Sequence, residues 1–314
     1  MVRARSRGRA VVQLALAPVI CGLLVAGCLT AAWVAVGAPV PAQAAVWMQV
    51  VATGQARHTG APNQPFFVLA LGTGARSDNP ADSPDDPGLS DAIHVIGVNP
   101  AAGAATILDI PRDTEGPGGA KINSYILSGG SENLRAAASA VSSITGIALP
   151  YVIRVNFPHF QQMVDGIGGI DINIPAPMDD DFSGAHFSPG PVHLTGGAAL
   201  AFARDRHSFA NGDLTRTNNQ GLLILSALAT LRARNPSAGD TIHLIALLGQ
   251  HVKLDGIGIP DLFRMGQLVL GIDPANIKNV TLPVQNASGS NLAPSADAAG
   301  VLADFADDAV LQSH

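Results

Sequence analysis

The chain has 314 residues, 47% of them hydrophobic, with 18 basic and 24 acidic side chains. Four of the basic residues lie at positions 3–9, so 14 Lys and Arg face all 24 acids in the rest of the chain. This balance argues against nucleic acid as a partner, because binding a phosphate backbone needs a basic face. A chain of this length and hydropathy can bury a full core.

An apolar segment follows the basic N-terminus. Residues 10–56 contain no charged side chain, and residues 11–38 are almost wholly apolar, which exceeds the roughly 20 residues that cross a bilayer. We predict a basic cytoplasmic tail at 1–10, a transmembrane signal anchor at 11–38 and a linker at 39–64. By the positive-inside rule, the N-terminus stays cytoplasmic and the rest of the chain is extracytoplasmic in the cell membrane.

Two other interpretations of the apolar segment stay open. Ala42-Gln43-Ala44 has the small-x-small pattern of a cleaved secretory signal, although the apolar run is long for one. Val25-Ala26-Gly27-Cys28 is similar to a bacterial lipoprotein box with Cys28 as the lipidated residue, although the chain stays apolar after it. Cys21 and Cys28 are the two cysteines of the chain, so the remainder has neither a disulfide nor a thiol nucleophile.

Residues 65–314 alternate strand and helix patterns. They predict a single α/β domain with a central mixed β-sheet flanked by helices. A turn at 99–103 is expected to join two of the strands as a hairpin. The predicted strands span 66–71, 92–98, 105–110, 151–156, 169–174 and 279–284. The predicted helices span 132–144, 157–166, 194–203, 213–234, 241–252, 261–270 and 298–311.

Four arginines dominate the domain. Arg112 follows a predicted strand, Arg204 and Arg206 follow a predicted helix, and Arg216 lies in the next helix. Because other cations are scarce, a fold that gathers these four creates a focused anion site, and phosphate is the first hypothesis. Any one of them alone is more often a surface ion pair.

Local geometry supports this grouping. Arg204 and Arg206 are two residues apart and share a face where the chain is extended. Asp213 is expected to cap the following helix, on which Arg216 and Gln220 lie four residues apart. Two cations, a helix N-terminus and an amide could then converge on one anion.

Taken together, the motifs resemble the LytR-CpsA-Psr family, membrane-anchored extracytoplasmic proteins of mainly Gram-positive bacteria. The resemblance covers residues 66–232 best. The matching stretches are Asp91, Asn99-Pro100, Ile110-Pro111-Arg112-Asp113, Lys121-Ile122-Asn123, Gly129-Gly130, Val164-Asp165, Gly168-Gly169-Ile170, Leu194-Thr195-Gly196, Ala199-Leu200-Ala201-Phe202-Ala203-Arg204-Asp205-Arg206, Gly212-Asp213-Leu214-Thr215-Arg216 and Gln220.

The resemblance implies a phosphotransferase, a glycopolymer–peptidoglycan ligase. Such an enzyme moves a cell-wall glycopolymer from a polyprenyl-pyrophosphate carrier to peptidoglycan and leaves it joined by a phosphodiester to a muramic acid 6-hydroxyl. The resemblance assigns the pyrophosphate to the catalytic arginines and adds two further substrate-binding residues. The arginines are Arg112, Arg204, Arg206 and Arg216, and the further residues are Lys121 and Gln220, whose amide would donate a hydrogen bond.

The resemblance also implies a metal ion and a lipid groove. Asp91 would help to hold a Mg²⁺ ion that bridges the diphosphate oxygens, although a strand-end cap is the simpler role. The aliphatic residues of 144–153 and 222–231 are expected to line a groove for the polyprenyl chain or to belong to the ordinary core.

Three departures from the family pattern weaken the metal site. Gly72-Thr73-Gly74-Ala75-Arg76 stands where the family has Gly-x-Asp-x-Arg, so a carboxylate is missing at Gly74. Leu89-Ser90-Asp91 lacks the arginine of Arg-Ser-Asp, and Asn219-Gln220-Gly221 stands for Arg-Gln-Gln. A second hypothesis therefore stays open, in which a weak or inactive member binds polyprenyl-phosphate or glycopolymer without turnover. The residues that could replace the lost carboxylate are Asp78, Asp82, Asp85 and Asp86.

The remaining motifs give little indication of function. His186 and His193 fall in an expected loop, and with His207 they lack the spacing of a zinc site. The acids of residues 179–181 are expected to form a solvated turn. Richness in Ala, Gly and Arg suggests a GC-rich genome such as that of an actinobacterium, for which the resemblance implies arabinogalactan, while the identity of the polymer stays open.

Overall fold

The computed structural model describes residues 48–52, 64–74, 88–130, 132–237, 239–240, 244, 252–255 and 259–312. The predicted tail, the anchor and the acids of residues 78–86 lie outside the described residues, as does Cys28. Most of the predicted helix 241–252 also lies outside them, and its last residue, Val252, begins a strand. Within the described ranges, no helix combines the length and the apolar character of a membrane span.

A seven-stranded mixed sheet forms the centre of the unit that begins at Ala45. Its order is β10-β1-β5-β2-β3-β4-β11. The pairs β1–β10, β2–β5 and β4–β11 are parallel, and the other three pairs are antiparallel. The strands are β1 Met48–Ala52, β2 Phe66–Gly74, β3 Leu89–Asn99, β4 Ala104–Asp109, β5 Tyr151–Asn156, β10 Val252–Asp255 and β11 Ile277–Thr281.

Helices and small two-stranded sheets surround this sheet. The helices are α1 Leu134–Thr145, α2 Phe157–Gly166, α3 Gly196–Arg204, α4 Gly212–Ala233, α5 Ile259–Gly271 and α6 Ala298–Asp308. The short strands are β6 Ile170–Ile174, β7 Met178–Asp180, β8 Ala185–Phe187, β9 Gly190–Leu194, β12 Val284–Asn286 and β13 Leu292–Pro294. The predicted mixed α/β architecture with flanking helices is confirmed.

Three apolar clusters make the core of the described part of the chain. One packs α1 and α6 on one face of the sheet, and another packs α4 and α5 against residues of β2, β3 and β4. The third joins α2, α3 and the middle of α4 to the β6–β9 sheet. Helix α4 contributes to two clusters through residues 222–228, which places its middle turns between the main sheet and the smaller elements.

Local capping explains why some element ends were readable from the sequence. The predicted strand 151–156 and helix 157–166 agree residue for residue with β5 and α2. The Asn156 side chain accepts the His159 N–H at 3.1 Å and caps α2, and Pro158 occupies its first turn, where a missing N–H costs nothing.

Other expectations need correction. Within the predicted linker 39–64, Met48–Ala52 forms β1, which pairs with both β5 and β10; only those distant partners make a strand of so short a run. His186 and His193 lie on β8 and β9 and not in a loop. Cross-strand pairing again supplies what the local sequence does not show.

Candidate functional site

A β-bulge places Asp91 in the site. Gly72 pairs with Ala92 and Thr73 pairs with Ser90, so Asp91 is the extra residue on β3. Such a bulge redirects side chains, and here Asp91 and Ala92 both line one large cavity. The local conformation, and not the strand alternation, brings this carboxylate to the site.

Arg112 lies between two carboxylates. It follows β4, and its Nη1 donates to Asp91 Oδ1 at 2.6 Å. Its Nε lies 3.4 Å from Asp213 Oδ2. Burial acts to lower the pKa of Arg112, but the charges of Asp213 and Asp91 outweigh it and raise that pKa. Arg112 is thus a fixed cation that joins the end of β4 to β3 and α4.

Asp213 does not cap α4, contrary to the prediction. The helix begins at Gly212, and the preceding Asn211 makes no side-chain cap hydrogen bond. Asp213 lies in the first turn, where the helix dipole stabilises an acid, and its Oδ1 lies 3.0 Å from Arg216 Nη2. Because it reaches both Arg112 and Arg216, this carboxylate separates the two guanidinium groups.

Arg216 is the most buried of the four arginines and is incompletely satisfied. It is 5% exposed and lines the cavity. Among the described residues, its Nε and Nη2 have no hydrogen-bond partner, although Nη2 is within ion-pair distance of Asp213. Burial lowers the pKa of Arg216; Asp213 opposes this effect, and the nearby charges of Arg112 and Arg206 reinforce it. The described protein atoms therefore do not fully meet the hydrogen-bonding demand of this buried guanidinium, which lines the cavity.

The other two arginines are Arg204 and Arg206. Together with Arg112 and Arg216 they form what we call the cationic wall. Arg204 is the last residue of α3, and its guanidinium carbon lies 5.2 Å from the centre of the Phe157 ring, a cation–π contact. Arg206 is exposed. All four predicted arginines line the same cavity.

The remaining predicted substrate residues have protein partners. Gln220 lines the cavity, and its Nε2 donates to the Ala203 carbonyl at 3.0 Å, which holds α4 to the C-terminal end of α3. Lys121 donates to Asp113 Oδ1 at 2.7 Å, and it is not among the lining residues. The structure thus brings Gln220 to the arginines and leaves Lys121 outside the cavity.

The cavity has a volume of about 1360 Å³ and extends from the arginines along α4. Leu223, Ile224, Ala227, Leu228 and Leu231 line it. Of the other predicted stretch, residues 144–153, Ile153 alone lines the cavity, while Ile147, Leu149 and Val152 are buried in the core. Arg216 and Leu231 are 15 residues apart on α4, about 22 Å along the helix axis. The cavity therefore has a cationic end and a long apolar wall.

The residues around Asp91 fit a Mg²⁺ ion only as a site with few protein ligands. A Cβ atom added to Gly74 would lie 3.0 Å from Asp91 Oδ2 and 2.9 Å from Phe157 Cζ, so the Phe157 ring occupies space that a side chain there would need. No group of three metal-binding side chains occurs in the described parts of the chain. Magnesium often takes one or two carboxylates and fills its shell with phosphate oxygens and water. Asp91 fits such a shared site.

Sequence reasoning missed a buried histidine–aspartate pair at the cavity wall. His94 is 3% exposed and lines the cavity, and its Nδ1 lies 2.7 Å from Asp109 Oδ1. Burial raises the pKa of Asp109, against the opposing charge of His94 and the hydrogen bonds of His94 and Asn279. The two residues face each other across the β3–β4 hairpin. The predicted turn at 99–103 places these two strands side by side, so it could have predicted this pairing.

The expected solvated turn at residues 179–181 is partly wrong. Asp179 and Asp181 are exposed, but Asp180 is 2% exposed and bonds to His207. The strand alternation of β7 turns this one side chain inward. Asp180 and His207 both line the cavity next to Arg206.

Comparison with known proteins agrees with this architecture. The model of the LytR_cpsA_psr family matches residues 42–300. A polyisoprenyl-teichoic acid–peptidoglycan teichoic acid transferase TagU from Bacillus mycoides is 34% identical over 163 residues, 50% of each chain. The chain therefore spans about half the length of the curated relatives that it matches.

Solved structures share the fold. Bacillus subtilis TagV superposes with a TM-score of 0.65 at 22% identity, covering 80% of this chain and 99% of that one. A LytR-Csp2A-Psr enzyme from Actinomyces oris gives 0.62 at 20% identity, covering 78% and 93%. TagT bound to LIIa-WTA gives 0.61 at 20% identity, covering 83% and 96%. Since the family model covers most of the chain, this protein belongs to the LytR-CpsA-Psr family.

Proposed function

We propose that the chain is a phosphotransferase that moves a glycopolymer from a polyprenyl-pyrophosphate carrier to peptidoglycan. The observation that carries the proposal is Arg216, which is buried at the cationic end of the cavity; among the described residues its Nε lacks a hydrogen-bond partner and its Nη2 has only the ion pair with Asp213. A diphosphate supplies the acceptor oxygens that such a guanidinium needs. The apolar wall along α4 suits the prenyl chain of the same molecule.

The chemistry follows from where charge develops. The acceptor hydroxyl oxygen attacks the phosphorus that bears the glycopolymer, a new P–O bond forms, and the phosphoanhydride bond breaks. Prenyl phosphate leaves with the electron pair of that bond, and the hydroxyl proton passes to solvent. Arg112, Arg204, Arg206 and Arg216 stabilise the charge on the phosphate oxygens during this step. Asp91 and Asp213 hold Arg112 in position for it.

The proposal includes a Mg²⁺ ion whose ligands would come from both the protein and the substrate. Asp91 would hold it together with oxygens of the substrate, and the ion would neutralise further diphosphate charge. Gly74 carries no carboxylate, so we expect weaker binding in the absence of substrate. Location in the cell membrane through a single span at residues 11–38, with the domain outside, is also a proposal. It rests on the apolar run in the sequence.

The test compares the full chain, purified in detergent, with arginine variants. We expect geranylgeranyl diphosphate to bind the wild-type chain and to bind Arg216→Ala and Arg206→Ala at least tenfold more weakly, equivalent to about 1.4 kcal/mol or more. Arg232→Ala is the matched control, because Arg232 lies on α4 outside the cavity. Unchanged binding in both cavity variants would refute the anion site.

A second function is favoured by one observation, the absence of a side chain at Gly74 beside Asp91. A member with a weakened metal site could bind prenyl diphosphate or glycopolymer without turnover. Transfer of a labelled glycopolymer to peptidoglycan, measured with Mg²⁺ and with a chelator, separates the two functions. Turnover that requires the metal supports the enzyme, whereas tight binding without turnover supports the binding protein.

A further inference from the structure

An exposed phenylalanine is among the residues that line the cavity. Phe182 lies between β7 and β8, is 81% exposed and is among the cavity-lining residues. Single exposed apolar residues are common on protein surfaces. What distinguishes Phe182 is the way in which its backbone and its ring are held.

A buried carboxylate joins the tip of the β7–β8 hairpin to the arginine segment. Asp180 Oδ1 accepts the Phe182 N–H at 2.9 Å, and Oδ2 accepts the Arg206 N–H at 3.4 Å. Both oxygens lie 3.0 Å from His207 Nδ1. Burial acts to raise the pKa of Asp180, but the hydrogen bonds of His207, Phe182 and neighbouring groups lower it. Asp180 is thus ionised at neutral pH and His207 Nδ1 donates.

Two rings form an open corner at this point. The Phe182 and His207 rings lie 4.8 Å apart at an angle of 44°, and the His207 side chain remains 44% exposed. We name this pair the Phe182–His207 corner. It offers an apolar ring face next to hydrogen-bonding groups of His207 and Ser183. A pyranose presents the complementary surface, with C–H groups on one face and hydroxyls around the rim.

The position of the corner identifies which part of a substrate it meets. Arg206 is the immediate chain neighbour of His207, and Arg216 lies at the start of α4. The apolar residues Ile224 and Leu228 line the cavity about 12 and 18 Å further along that helix. The lining therefore changes from apolar wall to arginines and includes an aromatic corner beside Arg206. A lipid-linked substrate has three parts of matching character, a prenyl chain, a diphosphate and a sugar bonded to that diphosphate.

We propose that the Phe182–His207 corner binds the pyranose bonded to the distal phosphate of the lipid-linked donor. This assignment rests on the proposed function, because it takes the diphosphate to lie at the arginines. The sugar stacks on the Phe182 face, and Asp180 fixes the ring relative to Arg206.

The test uses two probes that differ only in the sugar. Binding of geranylgeranyl diphosphate and of geranylgeranyl-diphospho-N-acetylglucosamine is measured on the full chain in detergent. We expect Phe182→Ala to bind the sugar-bearing probe about 3- to 10-fold more weakly and the sugar-free probe as the wild type does. Phe182→Trp should retain both affinities. His186→Ala is the matched control, an exposed ring on the same hairpin that does not line the cavity.

Several results would overturn the assignment. Equal losses for both probes, or no loss for either, would mean that the ring does not recognise the donor sugar. A rise confined to the KM for the acceptor glycan would assign the corner to the acceptor. Reduced binding of Phe182→Ala to phosphatidylglycerol vesicles, with both probe affinities intact, would make the ring a lipid contact. Failure of Arg206→Ala to weaken the sugar-free probe would instead count against the proposed function, whatever Phe182 does.

Discussion

Among substitutions that leave the four arginines in place, replacing Asp213 should disturb the site most. Its carboxylate lies 3.0 Å from Arg216 Nη2 and 3.4 Å from Arg112 Nε. Asp213→Asn keeps the shape of the side chain and removes its charge. Two cations would then face each other with one fewer anion between them, and Arg216 is only 5% exposed.

The magnitude follows from burial. Breaking a buried ion pair from one side costs about 3–5 kcal/mol. Asp213 is 27% exposed and Arg112 is 21% exposed, so water compensates part of the loss. We therefore expect the free energy of unfolding to fall by about 2–3 kcal/mol. Urea unfolding at pH 7, followed by circular dichroism, measures it, and the m value should stay unchanged.

The matched control is Asp171→Asn. Asp171 pairs with His193 at 2.6 Å, but the two side chains are 68% and 53% exposed, so its loss should cost less than about 0.5 kcal/mol. Inorganic pyrophosphate should also stabilise Asp213→Asn more than the wild type, because its oxygens can replace the carboxylate between the arginines. A wild-type free energy of unfolding in Asp213→Asn would refute the idea that this carboxylate compensates the buried cations.

Three further predictions concern packing, pH and metal binding. Gly221→Ala should lower the free energy of unfolding by about 1–3 kcal/mol, because a Cβ atom there would collide with Asn279 and Asp109. Gly300→Ala, at an exposed position of α6 with nothing within 4 Å, should be neutral or slightly stabilising. Asp180→Asn should destabilise the chain at pH 7, and the difference from the wild type should shrink below about pH 4, since the folded state lowers the pKa of Asp180 and its stabilisation is lost as that carboxylate protonates. Gly74→Asp combined with Phe157→Ala should tighten Mg²⁺ binding measured by calorimetry, by adding a carboxylate beside Asp91, whereas Phe157→Ala alone should not.

Element ends were predictable where the local sequence determines them. Asn156 and Pro158 mark the end of β5 and the start of α2, and both bounds agree with the structure. Strand β1 was missed because five residues, Met48–Ala52, form a strand only through pairing with β5 and β10. A short sequence segment does not show which distant strands it will pair with. The local sequence of residues 39–64 therefore predicts a linker.

The candidate site likewise has features that the local sequence predicts and features that depend on distant contacts. The arginines were predictable as a group, since each is next to a recognisable element end and other cations are scarce. Asp91 was predictable as a residue, but its direction depends on a bulge against Gly72 and Thr73. The pairing of Asp180 with His207 joins residues 27 positions apart, and nothing in the local run of acids distinguishes Asp180 from its neighbours.

Asp213 shows why a correct local rule can still give the wrong role. An acid near a helix start is a good cap, and the rule placed Asp213 at the correct end of α4. In the fold, the end of β4 brings Arg112 to that helix end, and a carboxylate one residue inside the helix meets both Arg112 and Arg216. Two guanidinium groups attract a carboxylate more strongly than backbone N–H groups do. The N-cap residue, Asn211, makes no side-chain cap hydrogen bond, and the Asp213 charge lies beside the two guanidinium groups instead.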